Sequence, residues 1–313
     1  MDYVNFLRAK GHQKPIISAY LPGYFPKEDP KGRNDEVWGL NIDRFMPAGV
    51  PFLRPYTVDN WKTLKEPFPT RFLSGHFIFT IAKFAKEVPY DPDLYFHGEE
   101  SSLAGRAYTN GYDLFAPHRP IIWHEYTREG KTKHWDDSTD WADRDKASYA
   151  RFRKIFEMDE VPCSPCQRRA LGVYALGSVR SLADFEKYAG LKFKTRQIHQ
   201  ETINNDLPPI RGDYESGLAN THKVCIDLYK GSLTETDYDH FAVALLNAEG
   251  EDVFREDMTA EQMNALLNSD SNDKFAHIWK QYESSTRPHK WRVWPHSISK
   301  GWTDKIENII GYE

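Results

Sequence analysis

The sequence predicts an α/β domain over residues 1–202 followed by a small α+β appendage over 203–313. Three observations carry this. Short apolar strands alternate with helical periodicity through the first two thirds of the chain, as in PIISAYL (15–21) and FLSGHFIFTIAKFAKEV (72–88). A stretch rich in Asn, Asp, Pro and Gly, INNDLPPIRGDYESG (203–217), marks a boundary. Beyond it strand patterns dominate, and 313 residues suffice for two cores.

In chain order, residues 3–9 read as a short helix, and the strand 15–21 stops at Pro22 and Gly23. Five prolines between Val37 and Phe72 (Pro47, Pro51, Pro55, Pro67, Pro69) argue for irregular connections and short strands. In 72–88 a strand passes into a helix, with Gly75 where backbone approaches something closely or simply bulges. IIWH (121–124) reads as a buried strand ending in His124. A helix capped by Thr139 or Asp140 is expected through Trp141, Ala147, Tyr149, Phe152 and Ile155, and another between Ser181, with Asp184 three residues on, and Gly190. HKVCIDLY and HFAVALLNAEGEDVFRED read as strands, the latter as a hairpin. Thr259 and Gln262 form a capping box, FAHIWKQYE reads as an amphipathic helix, and WRVWPHS as a last strand before a short terminal helix.

Net charge is −5 with both signs interspersed, which argues against a nucleic-acid partner. The opening MDYVNFLRAKGHQK has no apolar signal core, and no apolar run could span a bilayer. Three cysteines are too few for a disulfide scaffold, so a reducing, cytoplasmic setting is expected. Cys163 and Cys166 form a Cys-x-x-Cys without a second pair, which reads more as loop than as a zinc or redox site.

Chemistry concentrates between Val88 and Arg128. Glu99 and Glu100 follow Gly98, and His124 stands downstream, parts that acid/base or metal-assisted chemistry uses. Taken singly, His124 reads as a satisfied core histidine, and the two glutamates as a charge pair favoured by a helix dipole. Read together, they describe a site.

The strings VPYDPDLYFHGEE, RAYTNGYDLFAP and HEY, in that order, resemble the glycosyltransferases that move N-acetylglucosamine from UDP-GlcNAc to hydroxyl acceptors, the cytoplasmic hydroxyproline-modifying type with bacterial relatives. PIISAYLPGY, FLSGHFIFT and YALGSVRSLADFEKYAGLKF extend the resemblance over roughly 14–200, and FREDMTAE and VWPHSISKGW resemble the tails of bacterial members. It implies a GT-A-like fold, a retaining hexosyltransferase and a Mn2+ or Mg2+ cofactor. A distant resemblance to polypeptide N-acetylgalactosaminyltransferases, which carry a Gly-Gly-Glu-Asn, an Arg seven residues after the Glu and a downstream metal-binding His, fits Glu99, Arg106 and His124. The resemblance thus implies Glu99 and Glu100 as catalytic, His124 on the metal, and Gly75, His76, Gly98, Arg106 and Arg128 around the substrates. Arg128, Lys131, Lys133 and His134 would form a lid over the diphosphate, or a solvated charge run. Asp91 and Asp93 only imitate the family's metal-binding Asp-x-Asp.

The nucleotide-binding half of such enzymes, with its Asp-x-Asp or Asp-Ser-His motif, does not precede PIISAY. The expectation is the acceptor-side half of a longer enzyme, with the missing part on a second chain, or catalysis lost, as alternatives. Two other functions stay open: a non-catalytic glycan- or protein-binding protein on a degenerate or truncated scaffold, and a metal-dependent hydrolase using Glu99, Glu100 and His124.

Overall fold

The computed structural model describes residues 3–46, 48–127, 132, 140–159, 170–269, 273–284, 286 and 288–310. They form two compact units, residues 1–219 and 220–313.

In the first unit, strand β1 (Pro15–Ser18) is buried at every position, as expected of a strand covered on both faces. It ends at Ser18, three residues short of the apolar run. It pairs in parallel with β6 (Asp113–Ala116), Ile16 beside Leu114 and Ile17 beside Phe115, and antiparallel with β5 (Ile78–Phe79). With β4 (Phe68–Pro69) outside β6, the sheet order is β4-β6-β1-β5. The unit is therefore mixed α/β.

Helix Glu99–Thr109 buries Leu103, Ala104 and Ala107 toward this core. Gly105 lets it close against Phe156, whose ring would lie 2.7 Å from an added Cβ. Helix Trp141–Ile155 brings in Phe152; Asp140 sits at its N-cap without a side-chain cap bond. Helix Leu182–Ala189 has the expected capping box from Ser181 and Asp184 and ends at Gly190 with φ 65°. Between them the rings of Phe152, Phe156 and Phe193 stack at 4.2 to 4.5 Å in successive pairs.

β2 (Trp38–Phe45) and β3 (Pro51–Thr57) form a two-stranded antiparallel pair, longer and more regular than five prolines led us to expect. Each strand of a lone pair has a free edge, where a proline such as Pro55 removes no ladder bond. The linker expected at 203–217 lies inside the first unit. Glu201 accepts the backbone N–H groups of Arg211 (3.0 Å) and Gly212 (2.8 Å), turning the chain back so that β9 (Leu218–Ala219) pairs with β8 (Gln197–His199).

The second unit has its own core around Ile226, Phe241, Val243, Ile278 and Val293. β10 (Thr221–Tyr229) pairs with β13 (Phe275–Glu283), and β11 (Tyr238–Leu246) lies between β12 (Asp252–Thr259) and β14 (Lys290–Ser297). Helix Ala260–Leu267 starts at the expected Thr259–Gln262 capping box. FAHIWKQYE is strand β13, not a helix: its residues alternate strictly between exposed and buried, a period of two that overrides its helical residue types. The expected terminal helix is likewise replaced by β15 (Gly301–Trp302) and β16 (Ile306–Ile309), both paired with β14. Among the described residues no helix is long and apolar enough to cross a membrane.

Candidate active site

The site grows from the carboxyl end of β1, the position where open α/β sheets usually carry their ligands. Ser18 Oγ accepts the backbone N–H of Ser74 at 2.7 Å and donates to its carbonyl at 3.3 Å, fixing the turn that holds Gly75 and His76. The next residue, Gly75, donates its N–H to Glu100 Oε1 at 2.7 Å. A Cβ on Gly75 would stand 3.0 Å from Glu99 Oε1 and at an ordinary contact distance of 3.7 Å from Glu100 Oε1, so the missing side chain is what gives Glu99 its room beside the backbone.

The two glutamates open helix Glu99–Thr109 but differ in their partners. Glu100 is held by Gly75 N–H and the Ser74 hydroxyl; burial raises its carboxyl above the ordinary value and these two bonds oppose the rise. Glu99 Oε2 is buried without a hydrogen-bond partner. Burial, and then the neighbouring Glu100 charge, push Glu99 up to about 7. Tyr90, on the preceding loop, feels both: burial first, then Glu99 and Glu100, push its phenol up to about 12.

His124 lies beside this pair's loop without being in a strand. It forms an isolated bridge to Gly23, donating its N–H to Pro22 O (3.0 Å) and accepting from Tyr24 N–H (3.2 Å). The buried strand expected at 121–124 does not form: Pro117 and Pro120 interrupt the approach, Ile122 is exposed and the imidazole faces solvent. The ring of His76 stacks on His124 at 4.9 Å, and burial together with His124 lowers the His76 pKa. Its Nδ1 is buried and unpartnered.

Around the imidazoles stands an aromatic wall. Tyr20 meets His76 edge-on at 4.5 Å and stacks with Trp38 and Tyr126, each at 6.2 Å, while Tyr126 packs on His124 at 4.4 Å. The Tyr126 hydroxyl donates to Leu21 O at 2.7 Å. Trp38 and Tyr126 also line a cleft of about 400 Å3 with Gly23, Phe25 and Arg33. Sequence reading passed over Tyr20, Trp38, Tyr90 and Tyr126; a signal existed for Tyr20 in its place beside Pro22-Gly23 and for Tyr126 in the HEY string.

The fold thus brings Gly75, His76, Glu99, Glu100 and His124 together. Gly98 serves the backbone: its φ of 95° starts the helix, and a Cβ there would come within 3.0 Å of Phe152 and Val50. Arg106 is buried on the same helix, donating to Pro89 O (2.7 Å) and Val173 O (3.2 Å), so it ties down the loop that carries Tyr90. Asp91 accepts from Arg151 Nε at 2.7 Å and is engaged in that ion pair, which Asp93 joins at 3.3 Å. Arg128, Lys131, Lys133, His134, Cys163 and Cys166 lie outside the described residues.

For a divalent metal, the exposed His124 imidazole, the unpartnered His76 Nδ1 and the unpartnered Glu99 Oε2 are the donors at hand. These are donor types that Mn2+ or Mg2+ accept, but among the described residues they do not converge into a three-donor group.

A comparison with curated proteins finds no match. The family described as Glycosyltransferase (GlcNAc) matches residues 1–195, a span that contains every residue of the site and most of the first unit. The chain therefore belongs to the GlcNAc glycosyltransferase family.

Proposed function

We propose that the chain transfers N-acetylglucosamine from UDP-GlcNAc to a hydroxyl acceptor with retention, on a GT-A-like scaffold in the cytoplasm. The observation that carries the proposal is the pairing of an anchored Glu100 with a half-buried Glu99, whose Oε2 is buried and unpartnered, against the backbone of Gly75.

In the reaction the anomeric C–O bond to the diphosphate breaks, a bond to the acceptor oxygen forms, and the acceptor proton leaves with the departing diphosphate. Positive charge develops at the anomeric carbon. Glu99, ionised, stabilises it through a water-poor site, where such an interaction is stronger than in bulk. Glu100 keeps the Gly75 loop in place, and Gly75 leaves room for the donor sugar. The stacked faces of Tyr20, Tyr126 and Trp38 suit a sugar or uracil ring. Arg106 acts by positioning the Tyr90 loop, and Gly98 by setting the helix start. A Mn2+ or Mg2+ held at His124 would supply Lewis-acid compensation of the diphosphate charge.

The test is turnover of UDP-GlcNAc, with hydrolysis to UDP as the minimal readout. Glu99→Gln should lower it by about a hundredfold or more. A chelator should abolish it and Mn2+ restore it, whereas His124→Ala should not respond to Mn2+. If neither hydrolysis nor Mn2+-dependent UDP binding occurs, the transferase reading fails. The aromatic wall and its cleft favour a second reading, glycan binding without transfer. Metal-independent glycan binding that survives His124→Ala would decide for it.

A further inference from the structure

Far along the sequence from the glutamate pair, the second unit carries another group of metal-competent side chains: Asp239, His240 and His296, one ligand atom from each lying within 4.8 Å of the others. Their convergence requires an irregularity. Along a regular strand Asp239 and His240 would point to opposite faces. In the ladder between β11 and β14, Tyr238 faces Ser297 and His240 faces His296, so Asp239 is an extra residue. This bulge swings Asp239 to the side of its neighbour, as bulges do where a side chain must be re-aimed. Asp239 Oδ1 then accepts from His240 Nδ1 at 2.9 Å and His296 Nδ1 at 2.7 Å. The two imidazoles stack at 4.4 Å, and Trp302 walls both, edge-on at 4.9 and 5.2 Å.

We propose that Asp239, His240 and His296 form a zinc-class divalent metal site whose fourth position is open to water. Zinc bonds of about 2.0–2.1 Å at tetrahedral angles separate donor atoms by about 3.4 Å, so the observed group needs only a small opening to admit the ion. Two imidazoles with one carboxylate are a zinc-type donor set, and the ion replaces the protons now shared with Asp239. It also clasps β11 to β14 where the bulge interrupts their ladder.

A second group, Cys225, Asp227 and His277, is the natural control. There His277 already uses both ring nitrogens, on Asp227 (2.7 Å) and Asp273 (3.0 Å), and these two carboxylates raise its pKa, which favours the protonated ring over a metal-bound one.

The test is zinc titration of the whole protein against a chromogenic chelator, with His124→Ala as background to remove the catalytic-side imidazole. One equivalent is expected at this site, and His240→Gln and His296→Gln should each weaken it by about tenfold or more. Cobalt(II) added to the protein without these substitutions should give the visible bands of a tetrahedral ion without thiolate charge transfer. Zinc affinity unchanged in both variants overturns the proposal, as does a thiolate band that disappears in Cys225→Ser.

Discussion

Glu99 and Glu100 are chemically identical, and their neighbours make them different. Glu100 gives its oxygen to Gly75 N–H, while Glu99 keeps a buried oxygen unpartnered and titrates near 7. Because the proposed role needs Glu99 ionised, kcat/KM for UDP-GlcNAc should rise with pH through an apparent value near 7, and Glu99→Gln should remove that limb from the pH–rate profile. Stability runs the other way. Folded Glu99 keeps its proton to about 7 while the unfolded chain releases it near its ordinary value, so its contribution is full below that ordinary value and is lost as pH rises through about 7. Glu99→Gln should therefore raise Tm at pH 8, by the equivalent of about 1–3 kcal/mol, and change it little at pH 4; thermal denaturation at both values checks this. At Gly75 space is the issue. Gly75→Ala should reduce turnover sharply with little loss of stability, since its Cβ meets only the two carboxylates.

At the level of elements, the helix carrying the glutamates depends on a backbone conformation that a side chain resists. Gly98 combines φ 95° with Phe152 and Val50 at 3.0 Å from an added Cβ, so Gly98→Ala should cost about 1–3 kcal/mol in chemical denaturation and misplace Glu99 as well. The capping boxes at Ser181 and Thr259 are satisfied at both bonds, and Ser181→Ala or Thr259→Ala should each cost about 1 kcal/mol by the same measurement, without effect on turnover. These caps were legible because they are local: four residues suffice to make both bonds. Strand β13 was not, because Phe275, Ala276, Ile278, Trp279 and Tyr282 fit either a helical face or a sheet, and only pairing with β10 over nine residues selects the sheet.

For the whole molecule, each unit has its own large cluster of buried apolar residues among the described ones. A unit with its own core can fold by itself. Residues 220–313 expressed alone should give a cooperative thermal transition and a β-rich circular dichroism spectrum; a chain without cooperative unfolding would contradict this. The division falls at 219/220, just past the Pro- and Gly-rich stretch 203–217, which stays with the first unit because Glu201 collects the N–H groups of Arg211 and Gly212.

The sequence alone determined the α/β character of the first two thirds, the two capping boxes, and the family through the ordered strings around Glu99 and His124, because each is written in residues near one another or in fixed order. What only the tertiary structure decided was contact between distant segments. It brought His76 onto His124, Tyr20 and Tyr126 around them, and Gly75 against Glu100, and it set Arg106 on the carbonyls of Pro89 and Val173. Burial and partnering are properties of the packed chain, so the distinction between an anchored and an unpartnered glutamate has no signature in the letters themselves.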